Sequence, residues 1–337
     1  MERKLASVQI ITGKNEIPNA DRIEVVNVLG WHVVVPKGVY NIGEKVVYFE
    51  VDSCLPKNET LYGDLAGNNY RVSTKKFRGQ VSQGFIKKIS EVGISEDIPE
   101  GADVTKILGV TKYELPDEYE CQGCVTGIHP GYVHKSHELR IQTIPEILKL
   151  YKGTRCYITE KMDGTSASFS LRDDDYKICS HDKEVSKKMN SCYSYINDVL
   201  HMEDKVRSLK RNIAIQGEIC GPNICSNRYK FDNYKFFVFD IFDSDTYSHL
   251  EMNEVYEICS RLGLVTVPII SDNFILPGTV DELVEASKGI SVYNDKIKRE
   301  GIIVRPYKDI RNLDIKYGID RLSFKVINPE YSLKRGN

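Results

Sequence analysis

The first hundred residues hold no convincing helical period, and that constrains the fold more than any other property of the chain. Short apolar runs recur instead: ASVQII, IEVVNVLG, WHVVV, EKVVYFEV and QGFIKKI. Turn signals such as IPNAD, PKG, NIG and LPKN separate them. Runs this short bury their side chains as strands, and several strands at this spacing close into a small barrel or sandwich. Residues 1–110 are therefore read as all-β, with no helix before about Pro99.

The character changes twice beyond that point. Residues 111–145 carry Pro, Gly and polar clusters with little periodicity and read as a connector. From Ile144 the pattern is mixed. IPEILKLY predicts a short helix beginning near a proline. Strands are predicted near 155–160, 165–171 and 176–180, then a helical stretch over about 187–209, then strands IAIQGEI and KFFVFDIF. EMNEVYEICSRLGL is helical and stops at a glycine. TVDELVEASKG is a second such helix with Thr279 as its N-cap. GIIVR and LSFKVIN are the last strands. Residues 146–337 thus form a second, α+β domain, in keeping with a length of 337 residues.

Composition excludes several classes. Lys plus Arg number 46 and Asp plus Glu 48, so a nucleic-acid surface must be a local patch. The first residues lack the apolar core of a signal peptide, and no run approaches a membrane span. Nine irregularly spaced cysteines read as reduced thiols in an intracellular compartment, cytoplasm or nucleus alike. No Gly-x4-Gly-Lys-Ser/Thr is present, which excludes a P-loop enzyme.

The chemistry is concentrated at Lys161-Met162-Asp163-Gly164, between two β-prone stretches. Alone, Asp-Gly there is an ordinary turn. Further segments follow in order: Gly217-Glu218-Ile219, the run Phe236 to Ile241, Glu300-Gly301-Ile302-Ile303-Val304-Arg305, and Phe324-Lys325-Val326. Each has a bland reading as a surface residue, a buried strand or a turn. Together, over about residues 146–337, they resemble the ordered motifs of the covalent nucleotidyltransferases: RNA and DNA ligases and capping enzymes. The resemblance implies an ATP-grasp-like core of antiparallel sheets with flanking helices. A lysine amine of pKa ~10.4 is protonated and inert at neutral pH, so a lysine nucleophile needs desolvation or nearby cations. The resemblance implies Lys161 as that nucleophile and Lys325 as a second catalytic lysine. Asp163, Glu218 and Glu300 would hold Mg²⁺ or Mn²⁺ through waters. Nucleotide binding would fall to Glu160, Gly164, Ser180, His181, Phe237, Phe239, Ile302, Ile303 and Lys316. Phe239 is the first choice to stack on adenine, with Ile302 or Ile303 opposite.

Three departures stand against the pattern. Ser180-His181-Asp182 replaces a Ser-Arg-Asn whose arginine touches ribose. Ser323-Phe324-Lys325 has one lysine where two are usual. The stretch from Arg305 to Phe324 is long enough for a substrate-facing hairpin.

Only VINPEYSLKRGN follows Lys325, and the extra domain lies in front. Its stretch IPNADRIEVVNVLGWHVVVPKG resembles OB-like modules that bind structured RNA, and Arg140-Ile141-Gln142 resembles the same branch of ATP-dependent RNA ligases. That branch implies three steps: lysyl-AMP formation, transfer of AMP to an RNA 5′-phosphate, and sealing by a 3′-OH, with ends held at a nick in a duplex. A monomer is expected, and no membrane partner. A basic cluster, Arg71, Lys75, Lys76 and Arg78, with Lys87 and Lys88 around Phe77, is the candidate RNA surface. Cys121, Cys124, His129 and His134 have zinc-knuckle spacing, but the favoured reading there is a connector with reduced thiols and no structural zinc. The competing functions are a GTP-dependent capping enzyme, a DNA ligase, or a non-catalytic RNA-binding protein with a decayed core.

Overall fold

The computed structural model describes residues 3–113, 124–135, 137–311, 313 and 321–335. In the front domain five strands pair in the order Trp31–Pro36, Ile23–Val28, Ala6–Glu16, Lys45–Phe49, Phe85–Lys88. The long strand Ala6–Glu16 serves two partners. Its first half pairs with Lys45–Phe49 and its second half with Ile23–Val28, with a register shift between Ile11 and Gly13. A bulge bends and twists a strand, so the sheet curls and its apolar side chains divide. Val8 and Phe49 belong to one cluster, Trp31 and Tyr48 to another.

One expectation fails here. Short helical turns occupy Glu59–Tyr62, Gly63–Asn68 and Ile89–Val92. The first is started by Asn58, whose side chain accepts from the Leu61 N–H at 3.0 Å. Single turns leave no periodic signature, so capping chemistry was the only trace.

The second domain has two sheets. The first runs Val125–Ile128, Lys183–Val185, Asp175–Cys179, Thr165–Arg172, Ile213–Cys220, Lys235–Asp243, Ser248–His249. Tyr193, Ile196, Met202, Val206, Val255 and Ile258 from three helices cover one face of it. The second runs Leu139–Arg140, Phe324–Ile327, Gly301–Pro306, Arg155–Lys161, Ile269–Ile275. Helices Ile147–Tyr151 and Val280–Ser287 back it through Leu148 and Leu283. The two sheets meet on their other faces, and a cleft lies between them.

Two readings are corrected. The helical stretch near 187–209 is two helices, Cys192–Val199 and Met202–Ser208, broken where His201 takes φ 52°. The segment 111–145 is more than a connector. Val125–Ile128 is an edge strand of the first sheet, and Leu139–Arg140 pairs in parallel with Phe324–Lys325 of the second. Both pieces are too short to show a period of two. The stretch Ile269–Ile275, unassigned from sequence, is the other edge of the second sheet. Its polar interruption Ser271-Asp272-Asn273 hid it.

Candidate active site

Alternation places the functional side chains. Cys156 and Ile158 enter the apolar core of the second sheet, so Thr159 and Lys161 point the other way. Thr159 stands opposite Ile303, and Ile303 opposite Lys325. Directly opposed residues share a face, so Lys161, Ile303 and Lys325 line one wall of the cleft. On the first sheet Phe236 and Val238 enter the core. Glu218 and its partner Phe237 therefore face the cleft. Two glycines permit this close approach. A Cβ on Gly164 would stand 2.3 Å from the Ile219 carbonyl oxygen, and one on Gly301 would stand 2.2 Å from that of Val326. Asp163 and Glu300 each adjoin one of these positions.

Lys161 Nζ donates to Glu300 Oε2 at 2.9 Å. Burial opposes the charge on this amine, but Glu300, Glu218 and Asp163 outweigh it and hold its pKa above the ordinary lysine value. Glu218 is pushed up to about 8 by burial; Lys161 opposes that shift, and the negative charges of Glu300 and Asp163 add to it. Lys325 is brought down to about 7 by burial, then by the charges of Lys161 and Arg140. The carboxylates exceed the ammonium charge that faces them. That donor set suits a hard cation. Among the described residues no three His, Cys, Asp or Glu side chains converge as direct ligands of one ion.

Asp163 is held by other residues as well. Its Oδ2 accepts from the Tyr331 hydroxyl at 2.7 Å and from Arg228 Nη1 at 3.2 Å, and its backbone N–H donates to the Tyr229 hydroxyl at 2.7 Å.

A buried ionic network pins the sheets together beside the cleft. Arg305 Nη2 donates to Glu138 Oε1 at 2.9 Å and lies 3.3 Å from Asp240 Oδ2; its Nη1 donates to the Phe239 carbonyl at 2.7 Å. Arg321 donates to Asp240, and His249 Nδ1 lies 3.1 Å from the same carboxylate. Burial opposes the charge on Glu138, but Arg305 and Arg321 overcome it and hold its carboxyl down at about 2. Asp240 is held well below the usual carboxylate range by Arg321, His249 and Arg305, again against burial. Phe239 is the extra residue of a bulge, since Gln216 pairs with Asp240 and Gly217 with Val238. Bulges recur beside active sites because they re-aim a side chain.

Comparison with known proteins closes this part of the question. The RNA ligase family profile matches residues 154–327, more than half of the chain. The chain belongs to the RNA ligase family. An OB-fold domain profile matches residues 5–89 of the same chain. Solved structures of a Naegleria gruberi RNA ligase superpose with a TM-score of 0.90. One of them, with pyrophosphate, is 29% identical and covers 99% of either chain. Two mutants of that enzyme, one with ATP and manganese and one with AMP and manganese, are 28% identical; each covers 99% of this chain and 100% of its own. Curated proteins yield no match.

In this ligase the cleft brings together Lys161, Asp163, Glu218, Glu300, Ile303 and Lys325, but not every residue singled out from the sequence. Ile302 lies on the opposite face and is fully buried in the core, so Ile303 is the isoleucine at the cleft. Glu160 also points away from Lys161, and its Oε2 accepts from the Val292 N–H at 2.8 Å. Phe237 is packed among Met162, Phe231 and Tyr293, whereas Phe239 is half-buried and borders the gap between the sheets. Ser180 and His181 form the turn before Lys183–Val185, with His181 Nδ1 3.0 Å from Asp182 Oδ2. Lys316 and most of the long stretch before Phe324 lie outside the described residues.

The basic cluster of the OB domain is divided. Lys76, Phe77 and Arg78 are exposed at the tip of the hairpin Lys75–Phe77/Gln80–Ser82, and Lys75 is half-buried. Arg71 is committed elsewhere, paired with Asp52 at 2.8 Å and stacked 3.7 Å over Tyr113. Lys87 and Lys88 pair with Glu91 and Glu44. The described residues of the zinc-knuckle spacing make contacts of their own. His129 Nδ1 contacts the Pro130 carbonyl at 3.2 Å, and His134 stacks on Phe242 and meets His249 at 3.3 Å. Cys124 is buried, and Cys121 lies outside the described residues.

Sequence reasoning missed Arg228, Tyr229, Tyr331 and Glu138. The last had a partial signal. Asp240 and Arg305 stand in otherwise apolar β-runs, and a charge buried in a strand demands a partner. Nothing local identified Glu138 as that partner.

Proposed function

We propose that this RNA ligase uses ATP to seal RNA ends that carry a 3′-OH and a 5′-phosphate, through a covalent AMP on Lys161. The observation that carries the proposal is the half-buried Lys161 amine, 2.9 Å from Glu300, with the carboxyls of Glu218 and Asp163 beside it. The Naegleria structures with ATP, AMP and pyrophosphate lend support.

The Lys161 amine attacks the α-phosphorus of ATP, a P–N bond forms, and pyrophosphate leaves. At rest the carboxylates keep this amine protonated, which blocks attack. Asp163, Glu218 and Glu300 would hold Mg²⁺ or Mn²⁺ through waters, and the cation would offset their charge and stabilise that of the phosphate. Lys325, brought down to about 7 by burial and the charge of Lys161, is favoured in its protonated form as phosphate charge approaches, and holds that charge there. Ile303 and the half-buried Phe239 are the apolar surfaces offered to adenine. The AMP then passes to an RNA 5′-phosphate, and the neighbouring 3′-OH displaces it. The nick in a duplex is the geometry in which those ends are held together. Lys76, Phe77 and Arg78 are the candidate contacts to the strand, cations for phosphates and the ring for a base.

The test is incubation with α-³²P-labelled ATP or GTP and Mn²⁺, followed by a denaturing gel, with Lys161→Ala beside the wild type. Label from ATP that is lost in the variant, and a sealed product from a nicked RNA duplex, are expected. Label from GTP alone refutes the ligase mechanism. Absence of label in folded protein that carries no AMP by intact mass refutes nucleotidyl transfer.

A further inference from the structure

The loop Gly221–Phe231 and the helix Pro329–Arg335 take no part in the mechanism above, yet both converge on Asp163. The loop is held in an unfavourable shape. Asn223, Cys225, Ser226, Asn227 and Lys230 have φ of 63°, 46°, 57°, 42° and 56°, all in the left-handed region that side chains avoid. Such strain persists only where the surroundings over-determine it, and it collects at functional sites. Here the pins are visible. Asn227 Nδ2 donates to the Phe231 carbonyl at 2.9 Å and its Oδ1 accepts from the Phe231 N–H at 3.1 Å; Asn294 Nδ2 donates to the Arg228 carbonyl at 2.9 Å. The loop so held delivers Arg228 to Asp163 Oδ2 at 3.2 Å and Tyr229 to the Asp163 N–H.

The helix arrives from the other side. Tyr331 is buried, and its hydroxyl donates to the same Oδ2 at 2.7 Å. The Arg228 guanidinium lies 4.3 Å over the Tyr331 ring, so loop and helix brace each other. The residue that starts the helix turn is tied to the site as well. The fully buried Asn328 donates its N–H to the Glu300 carbonyl at 2.9 Å and its Nδ2 to the Arg299 carbonyl at 3.1 Å.

We propose that Tyr331 and Arg228 are positioning residues for nucleotidyl transfer, a two-sided clamp that fixes the Asp163 carboxylate, so that the helix Pro329–Arg335 is part of the active site. The inference rests on the proposed lysyl-AMP chemistry. Two donors on one oxygen fix the carboxylate plane and turn the second oxygen to the remaining side. They also withdraw charge, which tunes the carboxylate as a partner for cation-bound water. Outer partners of this kind typically set metal affinity or activity by 10–100-fold.

The experiment compares wild type with Tyr331→Phe, Arg228→Gln and Glu330→Gln. Glu330 belongs to the same helix but pairs outward with Lys298 at 2.8 Å. Three quantities are read: the melting temperature, the Mn²⁺ concentration that half-saturates binding to nucleotide-free enzyme by electron paramagnetic resonance, and the rate of covalent AMP formation at saturating ATP. Expected for Tyr331→Phe is about a tenfold rise in the Mn²⁺ midpoint or an equal fall in rate, with KM for ATP and melting temperature near wild type. Glu330→Gln should match wild type throughout. Should Tyr331→Phe fail to fold, Arg228→Gln reads the same clamp from the loop side. Wild-type values for the folded clamp variants overturn the proposal, as does an equal effect of Glu330→Gln. A wild type that takes no AMP and carries none removes the transfer chemistry and this proposal with it. Label in the wild type, with a wild-type rate and a wild-type Mn²⁺ midpoint in the variants, removes the clamp alone.

Discussion

Glu218→Gln should make this ligase more stable in alkaline buffer while abolishing its chemistry. The carboxyl of Glu218 ordinarily titrates at 4.5 and stands at about 8 in the folded protein, because burial and the charges of Glu300 and Asp163 outweigh the help of Lys161. Between those values the folded chain holds a proton that the unfolded chain has released. Stability therefore falls as pH rises from about 4.5 to about 8, and is flat above. At 1.36 kcal/mol per pH unit, the full gap corresponds to about 5 kcal/mol. Relaxation and water entry reduce this, and about 2–4 kcal/mol is the expected size at pH 9. A glutamine keeps the shape and never ionises. At about 2–4 °C per kcal/mol for a chain of this class, the variant should melt about 5–15 °C above wild type at pH 9 and within about 2 °C of it at pH 5. The assay is thermal unfolding by circular dichroism at both pH values, without nucleotide or divalent ions. Adding Mn²⁺ at pH 9 should narrow the gap, since a cation stabilises only the carboxylate. A difference that is the same at both pH values, or a glutamine variant that melts lower at pH 9, would refute the argument that burial and neighbouring charge disfavour the Glu218 carboxylate.

Other outcomes are expected elsewhere. Asp240→Asn leaves Arg305 and Arg321 with Glu138 alone and should cost about 3–5 kcal/mol, seen as a melting point lower by about 6–20 °C. Ile302→Ala should destabilise by about 2–4 kcal/mol in urea unfolding with an unchanged KM for ATP, whereas Ile303→Ala should raise that KM with little effect on unfolding. Replacing Lys76 and Arg78 together by alanine should weaken binding of nicked RNA duplex and reduce the slope of log K against log salt by about 1.5–2 in a fluorescence titration. The same change at Arg71 should lower stability instead, because that side chain is spent on Asp52 and Tyr113.

Most strands that carry the site were legible because they combine a β-prone run with a charged residue next to glycine; Phe324–Ile327, which carries Lys325, has no such glycine. Asp163-Gly164, Gly217-Glu218 and Glu300-Gly301 are such pairs. Order along the chain then linked them. Alternation could also have separated Ile302 from Ile303 had the registers been known, but the pairing of Ile303 with Lys325 spans a stretch that sequence leaves undefined. Glu160 adjoins Lys161 in sequence and faces away from it in space, which adjacency along a strand always implies. The partners of Asp163 were beyond reach for a different reason. Tyr331 stands 168 positions from Asp163 and Arg228 65 positions from it. Neither sits in a periodic element long enough to predict its direction. Partly buried counter-ions such as Glu138, which is 167 positions from Arg305, are chosen by the tertiary fold, and a single sequence holds no record of the pairing.

The strand Leu139–Arg140 has a practical implication for anyone who wishes to dissect this ligase. It completes the edge of the second sheet next to Lys325, and Glu138 just before it neutralises Arg305. Just after it, the Gln142 carbonyl accepts from the Gly30 N–H of the OB domain at 2.9 Å. A cut at residue 146, where composition suggests a boundary, would strip the core of an edge strand and of the counter-charge to the buried Arg305 at one stroke. A fragment meant to fold alone has to begin ahead of Val125, and a swap of the OB domain for another has to carry the seam at Gly30 and Gln142 with it.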